Sequence, residues 1–283
     1  MTMEGRGDDQ DGGTYGSTHA AEAWRRTSES RGAVLAPITE RMLDLAGIGV
    51  GYRVLDVAAG TGEQTILAAQ RVGPKGSVLA IDRAPQMLAV AVDAAQQAGL
   101  RNLETRVIDA RHLDLVPDSF DAAISRLALM LIPERAKVMA GIRRALKPGG
   151  TFAVVVLGTA EQCPYIAVPM ATASRRAGTP LAPFGDPGMF ALGEPSVLKG
   201  VYERAGFRDV AVEAVAVQRR FASLDEAMQT CRDALPEIPE LLVHLSDTER
   251  KSVWTEIEEA FRRFEGAEGF AVSQTYLIGV GAK

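Results

Sequence analysis

The chain has 283 residues, 47% hydrophobic and 24% charged, which supplies a sizeable core and excludes disorder throughout. Its net charge of −5, from 31 basic against 36 acidic groups, disfavours generic binding to nucleic acid or to an anionic membrane. No apolar run approaches the ~20 residues that span a bilayer, no apolar core marks a secretory signal, and the two cysteines, Cys163 and Cys231, cannot build a disulfide framework or a zinc site, so a cytoplasmic setting is expected.

Residues 1–18 are polar and rich in Gly and Asp, which predicts a flexible tail. Residues 19–26 and 32–46 read as helices. In the second, Leu35, Ile38, Met42, Leu43 and Leu45 make one apolar stripe. From Gly51 onward, strands and helices alternate. Strands are expected at 53–57, 77–81, 103–108, 120–125 and 151–157, and helices at 63–71, 85–98 and 133–146. Gly73, Pro74 and Gly76, then Pro148, Gly149 and Gly150, read as helix stops. Residues 158–192 are less regular and rich in Pro, Gly and Met. Helices are expected again at 194–205, 224–235 and 247–264, with strands at 210–217 and 270–280. The plan is one α/β domain over 19–283, interrupted at about 160–193 and 222–266 by insertions of the kind that form lids.

Strands alternating with helices predict a parallel sheet with helices on both faces. Right-handed crossovers gather the turns after the strands on one edge, where ligands bind as the strand order reverses. Gly60 and Gly62 follow the first strand and let the main chain turn and present N–H groups, or simply make a tight turn. Asp82 follows the second strand, 20 residues beyond Gly62; it can accept two ribose hydroxyls or cap the helix before Pro85. Asp109, with Ala110 behind it, can read an adenine edge or form a turn. The dinucleotide fingerprint fits poorly, because Thr65 stands where its third glycine belongs and Glu63 would oppose a pyrophosphate.

The runs VLDVAAGTGEQT, VLAIDRAPQML, VIDARHLDLVPDSFDAAIS and RALKPGGTFAVVV resemble class I S-adenosylmethionine-dependent methyltransferases. The style is that of the ubiquinone/menaquinone C-methyltransferases and many natural-product methyltransferases. The resemblance implies a Rossmann-like α/β fold: a seven-stranded, mostly parallel sheet with an antiparallel C-terminal strand, helices on both faces and helical lids. It implies S-adenosylmethionine as cofactor. Asp56 and the main chain of Ala58, Gly60 and Gly62 would hold its methionine end. Asp82 would take the ribose, Arg83 and Met87 would line the adenine, Asp109 and Ala110 would read its edge, and the Ser125 carbonyl would face the amino group. Ala58 stands where the family's first glycine does.

Methyl transfer needs an oriented acceptor and a dry site, and no metal. The segment after the fourth strand, where many relatives carry a histidine, has none here; His19, His244 and His112 are the histidines available as a base, and the catalytic residues stay unassigned. Arg126 can orient an acceptor or pair with an acid. Trp24, Met130, Tyr165, Phe184 and Phe190 are candidate acceptor contacts, and Met170, Met189, Leu241, Leu242, Trp254 and Phe261 offer further apolar wall. The expected partner is a small hydrophobic acceptor methylated on oxygen or carbon, with no nucleic acid, no membrane span and room for a homodimer. Arginine outnumbers lysine 25 to 6, which is compatible with a GC-rich genome and secondary metabolism. The alternatives are a cofactor-binding enzyme of this fold that catalyses a cyclisation or rearrangement, a non-catalytic partner subunit, and an NAD-dependent oxidoreductase.

Overall fold

The computed structural model describes residues 28–179 and 185–283; the expected tail and the expected helix at 19–26 lie outside them. Helix α1, Ser28–Leu45, leads into β1 Arg53–Val57, α2 Glu63–Val72, β2 Ser77–Asp82, α3 Pro85–Gln97, β3 Leu103–Val107, β4 Phe120–Arg126, α4 Arg135–Ala145 and β5 Leu146–Leu157. There follow α5 Pro164–Ala177, α6 Pro195–Arg204, β6 Arg208–Phe221, α7 Leu224–Ala234, α8 Glu237–Leu241, α9 Asp247–Phe261, the short β7 Glu265–Gly266 and β8 Gly269–Ala282.

The sheet runs β3-β2-β1-β4-β5-β8-β6, with β7 paired to β8. Strands β1 to β5 are parallel, and β8 is antiparallel to both its neighbours β5 and β6. The predicted sheet with a reversed C-terminal strand is therefore observed. Its central strands are continuous apolar runs because helices cover them: Val54, Leu55, Ala122, Ala123, Ile124 and Phe152 are fully shielded from solvent. Helix α1 buries Leu35, Ile38, Met42 and Leu43, while Leu45 packs half-buried beside them. The strand order reverses between β1 and β4, which opens a crevice at their carboxyl ends.

Some boundaries differ from expectation, each for a physical reason. Residues 147–150 do not separate α4 from β5, since β5 already begins at Leu146. The register jumps from Phe120↔Leu146 to Ala122↔Thr151, so these residues bulge out of the ladder. A Cβ on Gly150 would stand 2.9 Å from the Asp121 carbonyl, which is why glycine is placed there. The stretch after residue 158 is not irregular but contains α5. Pro164 takes its first turn, where a missing N–H costs nothing, and the apolar side of the helix carries Tyr165, Met170 and Ala173 into the core. Strand β6 continues past Val217 to Phe221.

The two insertions meet over one end of the sheet. Helix α5 packs on α8 and α9, and α7 packs on α9. Tyr165 anchors the junction, stacked on Phe221 at 5.4 Å and on Phe261 at 5.6 Å, with Phe270 edge-on at 6.3 Å. Leu242, Met170 and Phe261 are consumed by this packing.

Candidate functional site

A cavity of about 580 Å³ opens at the switch point, within the ~300–1,000 Å³ typical of ligand pockets. At one end it is walled by Ala58, Ala59, Gly60, Asp82, Arg83, Met87, Asp109 and Ala110. At the other end stand Met130, Leu157, Tyr165, Met189, Leu235 and Tyr276. One continuous space thus joins a polar, acid-rimmed compartment to an apolar one.

The turn after β1 is shaped by backbone conformation. Ala58 (φ 56°) and Gly60 (φ 57°) both take the left-handed region, as does Leu127 (φ 58°) just after β4. Two non-glycine residues in that region, each just after one of the two strands that flank the switch point, mark strain held at a cavity wall. Asp82 ties the turn down: its Oδ2 accepts from the Gly60 N–H at 2.9 Å and its Oδ1 from the Ala84 N–H at 2.9 Å. Each carboxylate oxygen keeps a second acceptor site. Asp109 accepts from the Arg111 main chain at 2.8 Å and from its guanidinium, and those bonds pull its carboxyl down to about 2. The helix-capping and turn-forming uses of these two acids are real, and both also face the cavity.

Three predicted cofactor residues stand behind the wall instead of in it. Asp56 is fully buried, accepting from Thr65 Oγ1 at 2.5 Å and from Gln64 Nε2 at 3.3 Å. Ser125 donates to the Val57 carbonyl at 2.9 Å. Gly62 (φ 83°) presses the turn against α3, where its Cβ would lie 2.5 Å from that of Ala91. These three shape the turn from beneath.

Burial pushes the Asp56 carboxyl up to about 6, against the bonds from Thr65 and Gln64 and the attraction of Arg126. The folded chain therefore holds this proton more tightly than the unfolded chain, whose aspartates titrate near ~3.9. Asp56 favours folding most below about pH 4, and that contribution is lost as the pH rises through about 6. In Asp56→Asn the amide oxygen can accept from Gln64 and the amide nitrogen can donate to Thr65. Chemical denaturation should show the variant gaining on the wild type by roughly 2 kcal/mol between pH 4 and pH 8. A difference that does not change with pH would mean that Asp56 stays ionised throughout.

Arg126 lines the cavity, but its guanidinium is engaged: it pairs with Glu63 and donates to Thr39 Oγ1 at 3.0 Å. Glu63 places a carboxylate on the first turn of α2, where a dinucleotide would put its pyrophosphate. Of the candidate acceptor contacts, Met130 and Tyr165 line the cavity. Phe190 packs half-buried on the core rather than in the wall, with neighbouring Met189 in its place. Trp254 is also outside the wall, under the Arg232 guanidinium at 4.9 Å. Trp24, Phe184 and His19 lie outside the described residues. His112 and His244 are exposed and away from the cavity, His244 bonding the Ala177 carbonyl at 3.1 Å.

Sequence reading missed Arg219, Glu237, Gln274 and Tyr276, all of which line the apolar compartment. Burial pushes the Glu237 carboxyl up to about 7, so it can take up or release a proton near neutrality. The Tyr276 hydroxyl accepts from Gln274 Nε2 at 2.8 Å.

Residues 48–179 match the model of a methyltransferase domain. The match covers just under half of the chain. An arsenite methyltransferase of Halobacterium salinarum is 35% identical over 109 residues, 38% of this chain and 28% of that protein. A demethylmenaquinone methyltransferase of Listeria welshimeri is 33% identical over 113 residues, 40% of this chain and 48% of that protein. The matched region spans less than half the length of these curated relatives. Among solved structures, a methyltransferase-like protein of Bacillus halodurans superposes with a TM-score of 0.59 at 20% identity, covering 87% of this chain and 98% of that one. A phosphoethanolamine N-methyltransferase of Haemonchus contortus, solved with S-adenosyl-L-methionine, gives 0.58 at 18% identity, covering 96% of this chain and 58% of that one. At these identities the superpositions speak for the fold. No helix among the described residues is long and apolar enough to cross a membrane.

Proposed function

We propose that the chain is an S-adenosylmethionine-dependent methyltransferase acting on a small, largely apolar acceptor. The observation that carries this reading is the continuity of the cavity from the Gly60 turn, Asp82 and Asp109 to the compartment under Tyr165 and Met189. The residues fit the cofactor. A Cβ added at Gly60 would meet nothing within 4 Å, so the turn leaves room beside its main chain. Asp82 retains acceptor sites for the ribose hydroxyls, Met87 supplies a soft apolar face for the adenine, and Asp109 and Ala110 stand at its edge. Asp56, Gly62 and Ser125 act by holding the turn.

When bound, the cofactor supplies a methyl group activated by its sulfonium for in-line displacement. The protein's part is to orient the acceptor and exclude water. Methyl transfer to arsenite gains no support from the cysteines: Cys163 and Cys231 are buried, with thiols pushed up to about 11 and about 12.

Calorimetry tests the cofactor. S-adenosylhomocysteine should bind with one-to-one stoichiometry and NADH should not; the reverse pattern would replace this reading with an oxidoreductase. Mass spectrometry of the product then separates methylation from rearrangement, since only methylation adds a methylene unit.

A further inference from the structure

Arg219 is an uncompensated charge in the apolar half of the cavity. Its residue is 7% exposed, and no described carboxylate lies within ion-pair distance of it. The guanidinium lies over the Tyr165 ring at 4.3 Å and the Phe221 ring at 5.7 Å, and its Nε has no hydrogen-bond partner. Stacking on two aromatic faces offsets part of the cost of burying this cation. It leaves a donor unsatisfied, which is costly in a core and useful in a binding site.

A second orphan stands beside it. Gln274 is 1% exposed; its amide nitrogen is spent on Tyr276, while its Oε1 has no partner. The ladder places both residues. Val272 is opposite Arg219 and Val217 is opposite Gln274, so Arg219, Gln274 and Tyr276 share one face of the β6–β8 pair, with Arg219 diagonal to Gln274. Around them that face carries Val215, Val217 and Val272. All three polar side chains line the cavity.

We propose that Arg219 and Gln274 form an acceptor subsite, and that the acceptor is an apolar molecule bearing a carboxylate. The planar guanidinium suits a carboxylate better than a single hydroxyl, because its N–H groups are set as a fork. Gln274 Oε1 accepts from a hydroxyl or amine elsewhere on the same molecule. The proposal rests on the methyltransferase reading for the word acceptor, but the subsite itself is testable without turnover.

The probe pair is 2-naphthoate and its neutral isostere 2-naphthamide, titrated into the full chain at pH 6 with saturating S-adenosylhomocysteine. At that pH Glu237 is largely protonated and does not oppose the probe. The wild type should prefer the naphthoate by at least tenfold. Arg219→Met should abolish the preference, and Arg219→Lys, which keeps the charge, should retain part of it. S-adenosylhomocysteine affinity in each variant reports on folding and should be unchanged. Equal binding of the two probes, binding of neither, or a preference that survives Arg219→Met would overturn the subsite. Failure of S-adenosylhomocysteine to bind the wild type would instead overturn the cofactor reading, and the naphthoate preference measured without it would still decide the subsite.

Discussion

Asp82→Ala should weaken S-adenosylhomocysteine binding by about 3 kcal/mol, the loss expected for two hydrogen bonds to a charged group. The carboxylate does two jobs at once. Its oxygens already receive the Gly60 and Ala84 N–H groups, each at 2.9 Å, and their remaining acceptor sites face the cavity. This makes asparagine a poor substitute. An amide has only one acceptor oxygen, so its NH₂ group must confront either the Gly60 or the Ala84 N–H. Asp82→Asn is therefore expected to lose nearly as much affinity as Asp82→Ala. Titration calorimetry on both variants checks this. An asparagine variant that binds like the wild type would show that Asp82 serves only the turn; an alanine variant that does so would remove Asp82 from the site.

The half of the cavity around Gly60, Asp82 and Asp109 was legible in the sequence because its parts are local. A strand, a glycine turn and an acid at each strand end recur at fixed spacing, and seven of the ten residues assigned from the sequence line the wall: Ala58, Gly60, Asp82, Arg83, Met87, Asp109 and Ala110. Spacing could not reveal depth. Asp56 on β1, Gly62 in the turn and Ser125 on β4 lie close to residues of the cavity wall, yet they are buried against the sheet and α3.

The half around Tyr165, Arg219 and Tyr276 was less legible because it is assembled from distant segments. Arg219 lies two residues beyond the strand end expected at Val217. In the sheet it continues the inward phase of Val215 and Val217. Gln274 holds the same phase between Val272 and Tyr276. A charge and an amide in the apolar phase of two strands was the available signal, since such groups are rarely buried without a reason. Helix α5 was hidden by its own prolines, one at a position where proline is favoured. The large apolar residues of the insertions read equally well as pocket or as packing. Tyr165 and Met189 went to the pocket, while Met170, Leu242 and Phe261 went to the core.

Gly60 and Gly62 look equivalent in the sequence and should respond differently to the same substitution. Both take the left-handed region, where a side chain costs ~1–2 kcal/mol. At Gly62 the new Cβ would also stand 2.5 Å from the Ala91 Cβ and 3.1 Å from the Ala91 Cα. Neither contact is with a flexible side-chain end, so α2 and α3 must part, at ~1–3 kcal/mol more. Gly62→Ala should therefore destabilise the fold by about 3 kcal/mol in chemical denaturation, and Ala91→Gly should recover the steric share but not the conformational one. At Gly60 the Cβ meets nothing within 4 Å, because the space beside it belongs to the cavity. Gly60→Ala should cost only the conformational ~1 kcal/mol of stability while reducing S-adenosylhomocysteine affinity at least tenfold. Reversal of this pattern, with Gly60→Ala unfolding the chain and Gly62→Ala merely weakening the ligand, would mean that the turn is presented to its cofactor the other way round.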